Sequence, residues 1–318
     1  MAADVDTEFE WPPLLRRAPL PLGVSPEARQ ALQRSAEQLT HRSLAAQRAL
    51  CDGVQNSLGS RQLARYGVTM TEGEIAGVPV RVFEANDRAR RRDGVVLLNL
   101  HGGGFTKDAG SITENAPIAG LANCKVVAVR YRMAPEFRFP APIDDAEKVY
   151  RAIVDEAGPA SVGLYGTSSG ATLCVQLMAR LQARECALPS ALGFFSGTAD
   201  LSKPGDTELF FRSERDASRG SELYAPYLGS QDPKNPAVSP LLAQLGSFPP
   251  TLCIAGTRDF MLSQTAILHR ALLNAGVHAE LVVFEAMLHA HWIYQDIPES
   301  DEAFRHMAGF FRRFVGRT

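Results

Sequence analysis

The chain has 318 residues and a mass of 34.5 kDa, which is enough for one large α/β domain or two small ones. Its content of 45% hydrophobic and 21% charged residues is that of an average globular protein, which excludes disorder, collagen and a small disulfide scaffold as descriptions of the whole. Lys and Arg number 33 against 35 Asp and Glu, and this balance argues against nucleic-acid binding, which needs a basic excess.

The cysteines and the N-terminal sequence predict the compartment. The five cysteines are scattered and odd in number, and they lack C-x-x-C or metal-ligand spacing, which favours a reducing compartment. Acidic residues stand near the N-terminus, where a signal peptide carries a basic region, and no apolar run approaches the roughly 18 residues of a membrane span. We therefore predict a soluble cytoplasmic protein without nucleic-acid or membrane partners.

The first 65 or so residues predict a helical N-terminal segment. Residues 11–21 are rich in proline and predict irregular structure. Ser25 is suited to cap a helix that begins at Pro26, and sequence rich in Ala, Leu, Gln and Arg continues this helical pattern to about Cys51.

The pattern changes to strands from about Val68. Residues 74–83 alternate in polarity and predict a hairpin with Gly77 near its turn. Pro79 lacks a backbone N–H, so we expect its strand to lie at an edge of the sheet. The basic run 88–92 is interpreted as a solvated loop, because the balanced total charge leaves little for nucleic acid.

Short apolar runs then alternate with helical segments. Runs rich in Val, Leu and Ile are typical of parallel strands buried on both faces, and helices would cover those faces. The predicted strands are 95–100, 125–129, 161–165, 191–195, 251–255 and 281–284, and the predicted helices are 116–122, 141–156, 170–184, 261–275 and 299–315. This pattern predicts one α/β domain over residues 66–318. Residues 198–250 are too many for a simple connection and predict an inserted segment beside a pocket.

The sequence Gly166-Thr167-Ser168-Ser169-Gly170 lies between a predicted strand and a predicted helix. This is the context of a nucleophile elbow, in which a sharp turn exposes the serine hydroxyl and flanking glycines avoid collisions with neighbouring backbone. Ser168 is therefore the candidate nucleophile, near a helix N-terminus that favours negative charge. The alternative is a Gly/Ser-rich turn without chemistry.

A second glycine-rich segment follows the predicted strand 95–100. Three consecutive glycines, 102 to 104, lose much conformational entropy on folding, so a plain connection would rarely use them. The N–H groups of Gly103, Gly104 and Ser169 are candidates for an oxyanion hole. A phosphate-binding loop is the competing interpretation, but the Walker lysine and the dinucleotide-binding spacing are both missing.

A serine nucleophile needs a base and an acid that orients the base. Asp259 and His289 each follow a late predicted strand, and the chain order Ser168, Asp259, His289 is that of an α/β-hydrolase. His291 is the rival base, although we expect a pocket-lining or packing role for it. The competing acids are Glu285, Asp144 and Asp145, and Cys174 is interpreted as a core residue rather than a catalytic thiol.

These motifs together resemble the bacterial branch of the hormone-sensitive lipase family of esterases. The match runs from about Gly77 to the C-terminus and comprises, in order, residues 101–105, 131–136, 139–142 with Asp145, the elbow, Asp259 and His289. The resemblance implies an α/β-hydrolase fold with a mostly parallel central sheet flanked by helices, and an N-terminal helical cap over residues 1–65. It also implies ester hydrolysis through an acyl-enzyme on Ser168.

The elbow and its surroundings depart from the family at three positions. Members commonly carry Ala at position 169, Gly at 171 and an acid at 130, where this chain has Ser169, Ala171 and Arg130. At position 167 members carry Asp or Thr, and Thr167 is the less common of these two elbow types. Position 169 contributes a backbone N–H, so we expect that change to leave the mechanism intact. For local packing and substrate preference, the differences at Ala171 and Arg130 leave the resemblance without a prediction.

The predicted function is therefore hydrolysis of short- to medium-chain acyl esters, with a small-molecule ester as substrate and no metal or cofactor. Candidate pocket residues are Phe105, Phe210, Phe211, Tyr224 and His291. The alternatives are a non-catalytic small-molecule receptor on the same fold and an amidase or thioesterase with the same triad. The oligomeric state stays open, with a homodimer as one option.

Overall fold

A computed structural model describes residues 19–35, 43–211 and 224–316. Within these ranges, eight strands form a single sheet, and helices lie on both of its faces. The strands are β1 (Val68–Ile75), β2 (Val78–Ala85), β3 (Val96–Leu100), β4 (Lys125–Val129), β5 (Val162–Thr167), β6 (Ala191–Phe195), β7 (Thr251–Arg258) and β8 (Ala279–Leu288).

The α-helices of the described ranges are α1 (Pro26–Ser35), α2 (Leu44–Tyr66), α3 (Asn115–Ala122), α4 (Ala141–Ala157), α5 (Ser169–Ala183), α6 (Asp206–Phe211), α7 (Ala225–Leu228), α8 (Leu262–Asn274), α9 (His291–Tyr294) and α10 (Pro298–Phe314). The five helices that the sequence predicts after residue 115 are present as α3, α4, α5, α8 and α10. The described part of the predicted insertion 198–250 contains α6, α7 and a short 3-10 helix, Pro240–Leu242.

The strands are arranged in the order β1-β2-β4-β3-β5-β6-β7-β8. The pairs β1–β2 and β2–β4 are antiparallel, and the remaining neighbours are parallel. One hydrophobic cluster packs α4, α5 and α8 on one face, and a second packs α1, α3 and α10 on the other. The central strands β3, β5 and β6 are fully buried because helices cover both of their faces. The predicted mostly parallel α/β sheet is confirmed.

Several details of the N-terminal half differ from the predictions. The hairpin is present, and its turn residues Ala76 and Gly77 both have positive φ. The prediction that Pro79 marks an edge strand is wrong, since β2 lies between β1 and β4. Pairing of β2 with β4 begins at Val80, so Pro79 does not have to donate a hydrogen bond to β4. Its carbonyl oxygen accepts a hydrogen bond from Arg130 N at 2.9 Å.

The N-terminal helical segment is divided differently from the prediction. The Ser25 hydroxyl accepts a hydrogen bond from Ala28 N at 3.0 Å, so Ser25 caps α1 as expected. The helix does not run on to Cys51, because α1 ends at Ser35 and α2 begins at Leu44. Residues 11–18 of the proline-rich stretch lie outside the described residues.

The last strand, β8, is not buried on both faces, which corrects the prediction for residues 281–284. It is one of the two edge strands of the sheet, and Val283 is 41% exposed. Across the described ranges, no helix is long and apolar enough to cross a membrane.

Candidate active site

Ser168 lies between β5 and α5, in the turn that the sequence predicts. Its backbone has φ 59° and ψ −123°, a conformation that L-residues rarely adopt. A Cβ on Gly170 would overlap the carbonyl oxygen of Leu100, and a Cβ on Gly166 would stand 2.6 Å from the same oxygen. The two glycines therefore allow β3 and α5 to approach closely enough for the sharp turn to form.

His289 and Asp259 follow the ends of β8 and β7, and the fold brings both to Ser168. His289 Nε2 lies 2.9 Å from Ser168 Oγ, although the two residues are 121 positions apart in the chain. His289 Nδ1 lies 2.8 Å from Asp259 Oδ1. Both distances are within hydrogen-bonding range, so the three side chains form one continuous line from hydroxyl to carboxylate.

The Asp259 carboxylate is fully buried, which affects its ionisation. Burial acts to raise the pKa of Asp259, but the charge and hydrogen bond of His289 and the backbone N–H of Met261 hold the pKa below its ordinary value. Asp259 is therefore ionised at neutral pH. An ionised acceptor at Nδ1 keeps the imidazole proton on that nitrogen and leaves Nε2 free to accept a proton.

The His289 ring is also held by packing. Its centroid lies 4.2 Å from that of the Phe260 ring, with an angle of 33° between the ring planes. The His289 side chain keeps 15% of its surface exposed, whereas that of Asp259 is completely covered. The imidazole is thus open to a bound molecule on one side and to its carboxylate on the other.

The glycine-rich loop lies against the elbow. A Cβ on Gly102 would stand 2.8 Å from Thr167 O and 3.5 Å from Ser168 Cβ. Gly103 has φ 115° and Gly104 has φ 64°, backbone conformations that favour glycine. Among the residues that the structure describes, none accepts a hydrogen bond from the N–H of Gly103, Gly104 or Ser169. These three donors are the ones that the sequence predicts for an oxyanion hole.

Contacts that sequence reasoning missed hold this loop in place. Arg48 of α2 donates from Nε to Thr106 O at 2.8 Å and from Nη2 to Ala134 O at 3.1 Å. The Tyr131 hydroxyl donates to His101 O at 2.7 Å, and the rings of these two residues stack at 4.1 Å. Arg48 lies in an ordinary helical pattern, so only its position in the fold shows that it supports the loop.

Asp144 and Asp145, two of the competing acids, have other partners, and the cysteine is buried in a helix. Asp145 accepts hydrogen bonds from Arg132 N and Nε, and Asp144 pairs with Arg180. Cys174 is buried in α5, and burial raises the pKa of its thiol well above the ordinary value. A thiol in that setting stays protonated at neutral pH and is a poor nucleophile.

The rival base His291 is buried beside Trp292. Burial lowers the pKa of His291 to about 4, and its ring makes edge contacts with Phe284 at 5.3 Å and Trp292 at 5.0 Å. The hydroxyl of Ser168 is contacted by His289, whereas His291 is buried at the first position of the short helix α9.

The aromatic pocket candidates are placed differently from one another. Phe105 is buried and stacks face to face on Tyr227 with ring centroids 3.9 Å apart, and Tyr224 meets the Phe105 ring edge-on at 6.4 Å. Phe210, at the end of α6, is 57% exposed, and Phe211 is half-buried.

A further residue that sequence reasoning missed is Glu114, at the start of α3. Its buried carboxylate accepts a hydrogen bond from the hydroxyl of Thr167, the residue that precedes Ser168. The only sign of this residue in the sequence is that a single acidic residue stands immediately before the apolar segment 115–122.

The fold, with a sharp turn at the carboxyl end of β5 and polar side chains after β7 and β8, is that of an α/β hydrolase. A family model described as the alpha/beta hydrolase fold matches residues 97–293. An acetyl-hydrolase from Streptomyces hygroscopicus is 30% identical over 236 residues, covering 72% of this chain and 79% of that protein. An ethyl acetate hydrolase from Pseudomonas putida is also 30% identical over 236 residues, covering 70% of this chain and 74% of that protein.

Solved structures agree with these relatives. The crystal structure of an esterase from the bacterial hormone-sensitive lipase family has a TM-score of 0.79 at 28% identity, covering 92% of this chain and 99% of that one. The chain therefore belongs to the α/β-hydrolase fold family and, within it, to the bacterial hormone-sensitive lipase family of esterases. The family and fold predicted from the sequence are confirmed.

Proposed function

We propose that the chain is a carboxylesterase that hydrolyses short- to medium-chain acyl esters through an acyl-enzyme on Ser168. The observation that carries this proposal is the line of hydrogen bonds from Ser168 Oγ through His289 to Asp259. The names of two relatives, acetyl-hydrolase and ethyl acetate hydrolase, support a small acyl group.

In the acylation step, Ser168 Oγ attacks the carbonyl carbon of the ester while His289 Nε2 accepts the hydroxyl proton. Asp259 stabilises the resulting imidazolium and stays ionised itself. The tetrahedral intermediate collapses as its bond to the alcohol oxygen breaks. His289 donates the proton to that oxygen, so the alcohol leaves neutral and the acyl group remains on Ser168.

Water completes the cycle by the same proton transfers in a second round. His289 Nε2 accepts a proton from the water as its oxygen attacks the acyl-enzyme carbonyl. The bond to Ser168 Oγ then breaks and His289 returns the proton to it, releasing the carboxylic acid. These residues account for the whole reaction with water as the co-reactant.

The proposed oxyanion hole consists of the N–H groups of Gly103, Gly104 and Ser169. Negative charge develops on the carbonyl oxygen in both steps, beside the N-terminus of α5, whose dipole favours it. Loss of one such donor costs about 3 to 4 kcal/mol of transition-state stabilisation in enzymes where it has been measured. The backbone supplies these donors, so the position of Gly103 and Gly104 depends on the loop contacts of Arg48 and Tyr131.

Other predictions extend this proposal to the surroundings of the site. We propose that residues 1–65 and 198–250 form a cap over the catalytic domain, residues 66–318. The candidate residues of the substrate pocket are Phe105, Phe210, Phe211, Tyr224 and His291. Cytoplasmic location, a homodimer and the absence of nucleic-acid partners likewise remain predictions.

The test is a series of p-nitrophenyl esters from acetyl to palmitoyl, with kcat and KM measured for each. We expect turnover to be fastest at short or medium chain length. Ser168→Ala and His289→Ala should each lower kcat by at least about 10³-fold, because each removes a member of a unit that acts together. His291→Ala should lower kcat by less than about tenfold, since that ring packs in the core.

Ser190→Ala is the matched control for Ser168→Ala. The Ser190 hydroxyl donates to Val162 O at 3.0 Å, at the opposite end of β5, so its loss should leave kcat unchanged. Full activity of Ser168→Ala would refute the proposal, and equal damage from His291→Ala and His289→Ala would reopen the choice of base. Hydrolysis of matched anilides or thioesters in preference to esters would instead favour an amidase or thioesterase, and binding without turnover would favour a receptor.

A further inference from the structure

Glu114 is a buried carboxyl group at the point where three segments of the site meet. Its side chain is 0% exposed, and in the described part of the chain no lysine or arginine forms an ion pair with it. Its partners are the Thr167 hydroxyl, Trp292 Nε1 at 3.1 Å and Asn99 Nδ2 at 3.2 Å, all of which donate to its two oxygens.

A buried carboxyl group without an ion-pair partner is costly for a protein to keep. Burial raises the pKa of Glu114 to about 7, against the three hydrogen bonds, which favour the charged form. An apolar side chain of similar size would avoid that cost, because removing charge from a protein core is often neutral or stabilising. The position of Glu114 therefore needs an explanation other than stability.

The partners of Glu114 are each close in sequence to a proposed catalytic group. Thr167 directly precedes Ser168, and Trp292 lies on α9, three residues after His289. Asn99 lies on β3, two residues before His101, where the glycine-rich loop begins. One carboxyl group thus joins the segments that carry the nucleophile, the base and the oxyanion donors.

A second layer of hydrogen bonds fixes the direction of these contacts. Asn115 Nδ2 donates to Asn99 Oδ1 at 3.0 Å, which leaves the Asn99 amide nitrogen to face Glu114. The Tyr165 hydroxyl donates to Asn115 Oδ1 in turn. Thr167 and Trp292 share Oε1 of Glu114, and Asn99 contacts Oε2.

We propose that Glu114 is a positioning residue that holds Thr167 and Trp292, and through them Ser168 and His289, at the separation that proton transfer requires. This inference rests on the proposed function. Ser168 Oγ and His289 Nε2 are 2.9 Å apart, and a displacement of about 1 Å in such a pair lowers the rate by as much as about 10²-fold.

The test compares Glu114→Ala with Glu114→Gln on p-nitrophenyl acetate. Alanine removes all three contacts, so we expect kcat to fall about 10- to 100-fold while KM changes by less than about threefold. Glutamine keeps an oxygen for Thr167 and Trp292, so kcat should stay within about threefold of the wild type. The rate at which a fluorophosphonate labels Ser168 should follow kcat, since it reports on the reactivity of the hydroxyl itself.

Glu147→Ala is the matched control. Glu147 is also a buried glutamate, but it lies on α4 and accepts two hydrogen bonds from Arg184 Nη1, at 2.6 and 2.8 Å, away from the elbow. Its loss should lower the melting temperature and leave kcat per folded molecule unchanged. A fall in kcat for Glu147→Ala equal to that for Glu114→Ala would show a general effect of destabilisation and overturn the proposal.

Thr167→Val provides a test if Glu114→Ala fails to fold, because valine keeps the shape of threonine and removes only the hydroxyl. We expect a fall in kcat of about 3- to 10-fold with KM unchanged. If Thr167→Val and Trp292→Phe both keep the wild-type kcat, the positioning role is overturned. The proposed function still stands in that case, provided that Ser168→Ala is inactive. A wild-type protein that hydrolyses no ester would overturn the proposed function itself.

Discussion

The ionisation of Glu114 predicts a specific pH dependence of folding stability. Its pKa rises from the ordinary 4.5 to about 7 in the folded protein because of burial. The unfolded chain therefore releases this proton near pH 4.5, whereas the folded chain keeps it until about pH 7. The unfolded state binds fewer protons in between, so this group makes the free energy of unfolding fall as pH rises through that interval.

The size of the effect follows from the separation of the two pKa values. That separation is 7 minus 4.5, or about 2.5, and each pKa unit corresponds to about 1.4 kcal/mol. Between pH 5 and pH 8, after allowing for partial ionisation at both ends, Glu114 should lower the free energy of unfolding by about 2 to 3 kcal/mol. Below pH 4.5 the contribution should vanish.

Glu114→Gln isolates this contribution because an amide does not titrate. Urea unfolding of the wild type and the variant, followed by circular dichroism at several pH values from 5 to 8, gives the difference in free energy at each pH. All other titrating groups are common to the two proteins and cancel. The wild type should lose about 2 to 3 kcal/mol relative to the variant over this range. If the free energies of unfolding of the two proteins change in parallel with pH, the prediction that Glu114 titrates near neutrality is refuted.

Three further predictions concern packing, catalysis and the N-terminal segment. Gly170→Ala should destabilise the fold by at least about 3 kcal/mol in urea unfolding, because the new Cβ would overlap Leu100 O. Gly309→Ala lies in α10 with no atom within 4 Å of the new Cβ, so it should stabilise the fold by about 0.5 to 1 kcal/mol. Equal effects of the two substitutions would contradict this account. Asp259→Asn should lower kcat by about 10³- to 10⁴-fold with KM little changed, and a smaller loss in steady-state kinetics would mean that the carboxylate does not set the imidazole tautomer. Glu299 accepts hydrogen bonds from Ser25 N at 2.7 Å and from Ser25 Oγ at 2.8 Å, and Glu299→Ala removes both. Helix α1 should then detach more often, so trypsin should cleave at Arg29 faster than in the wild type. An unchanged cleavage rate would show that other contacts hold α1.

Local sequence signals predicted the central strands and the turn at Ser168 well. The run Lys125–Val129 and the run Ala191–Phe195 form strands with the predicted bounds, because a buried parallel strand needs a short apolar run and little else. The glycines at 166 and 170 flank the turn because no larger residue fits there.

The same local signals failed where the neighbour of an element decides its environment. Residues 281–284 are as apolar as a central strand, yet β8 lies at the sheet edge with Val283 exposed. Pro79 lacks a backbone N–H, which is typical of an edge strand, yet its strand is internal. The sheet tolerates Pro79 there because β4 pairs with β2 only from Val80 onward. Strand order depends on crossover connections, and no short stretch of sequence encodes those.

By itself, the sequence determined which groups are available for chemistry: Ser168 in a sharp turn between a strand and a helix, a carboxylate and an imidazole after two later strands, and three glycines after the strand 95–100. Tertiary structure alone decided how closely His289 approaches Ser168, and that Arg48 and Glu114 form hydrogen bonds with the segments around it. The reason is physical: turns and strands depend on neighbouring residues, whereas the partner of a buried polar group is chosen by packing between elements that are far apart in the chain.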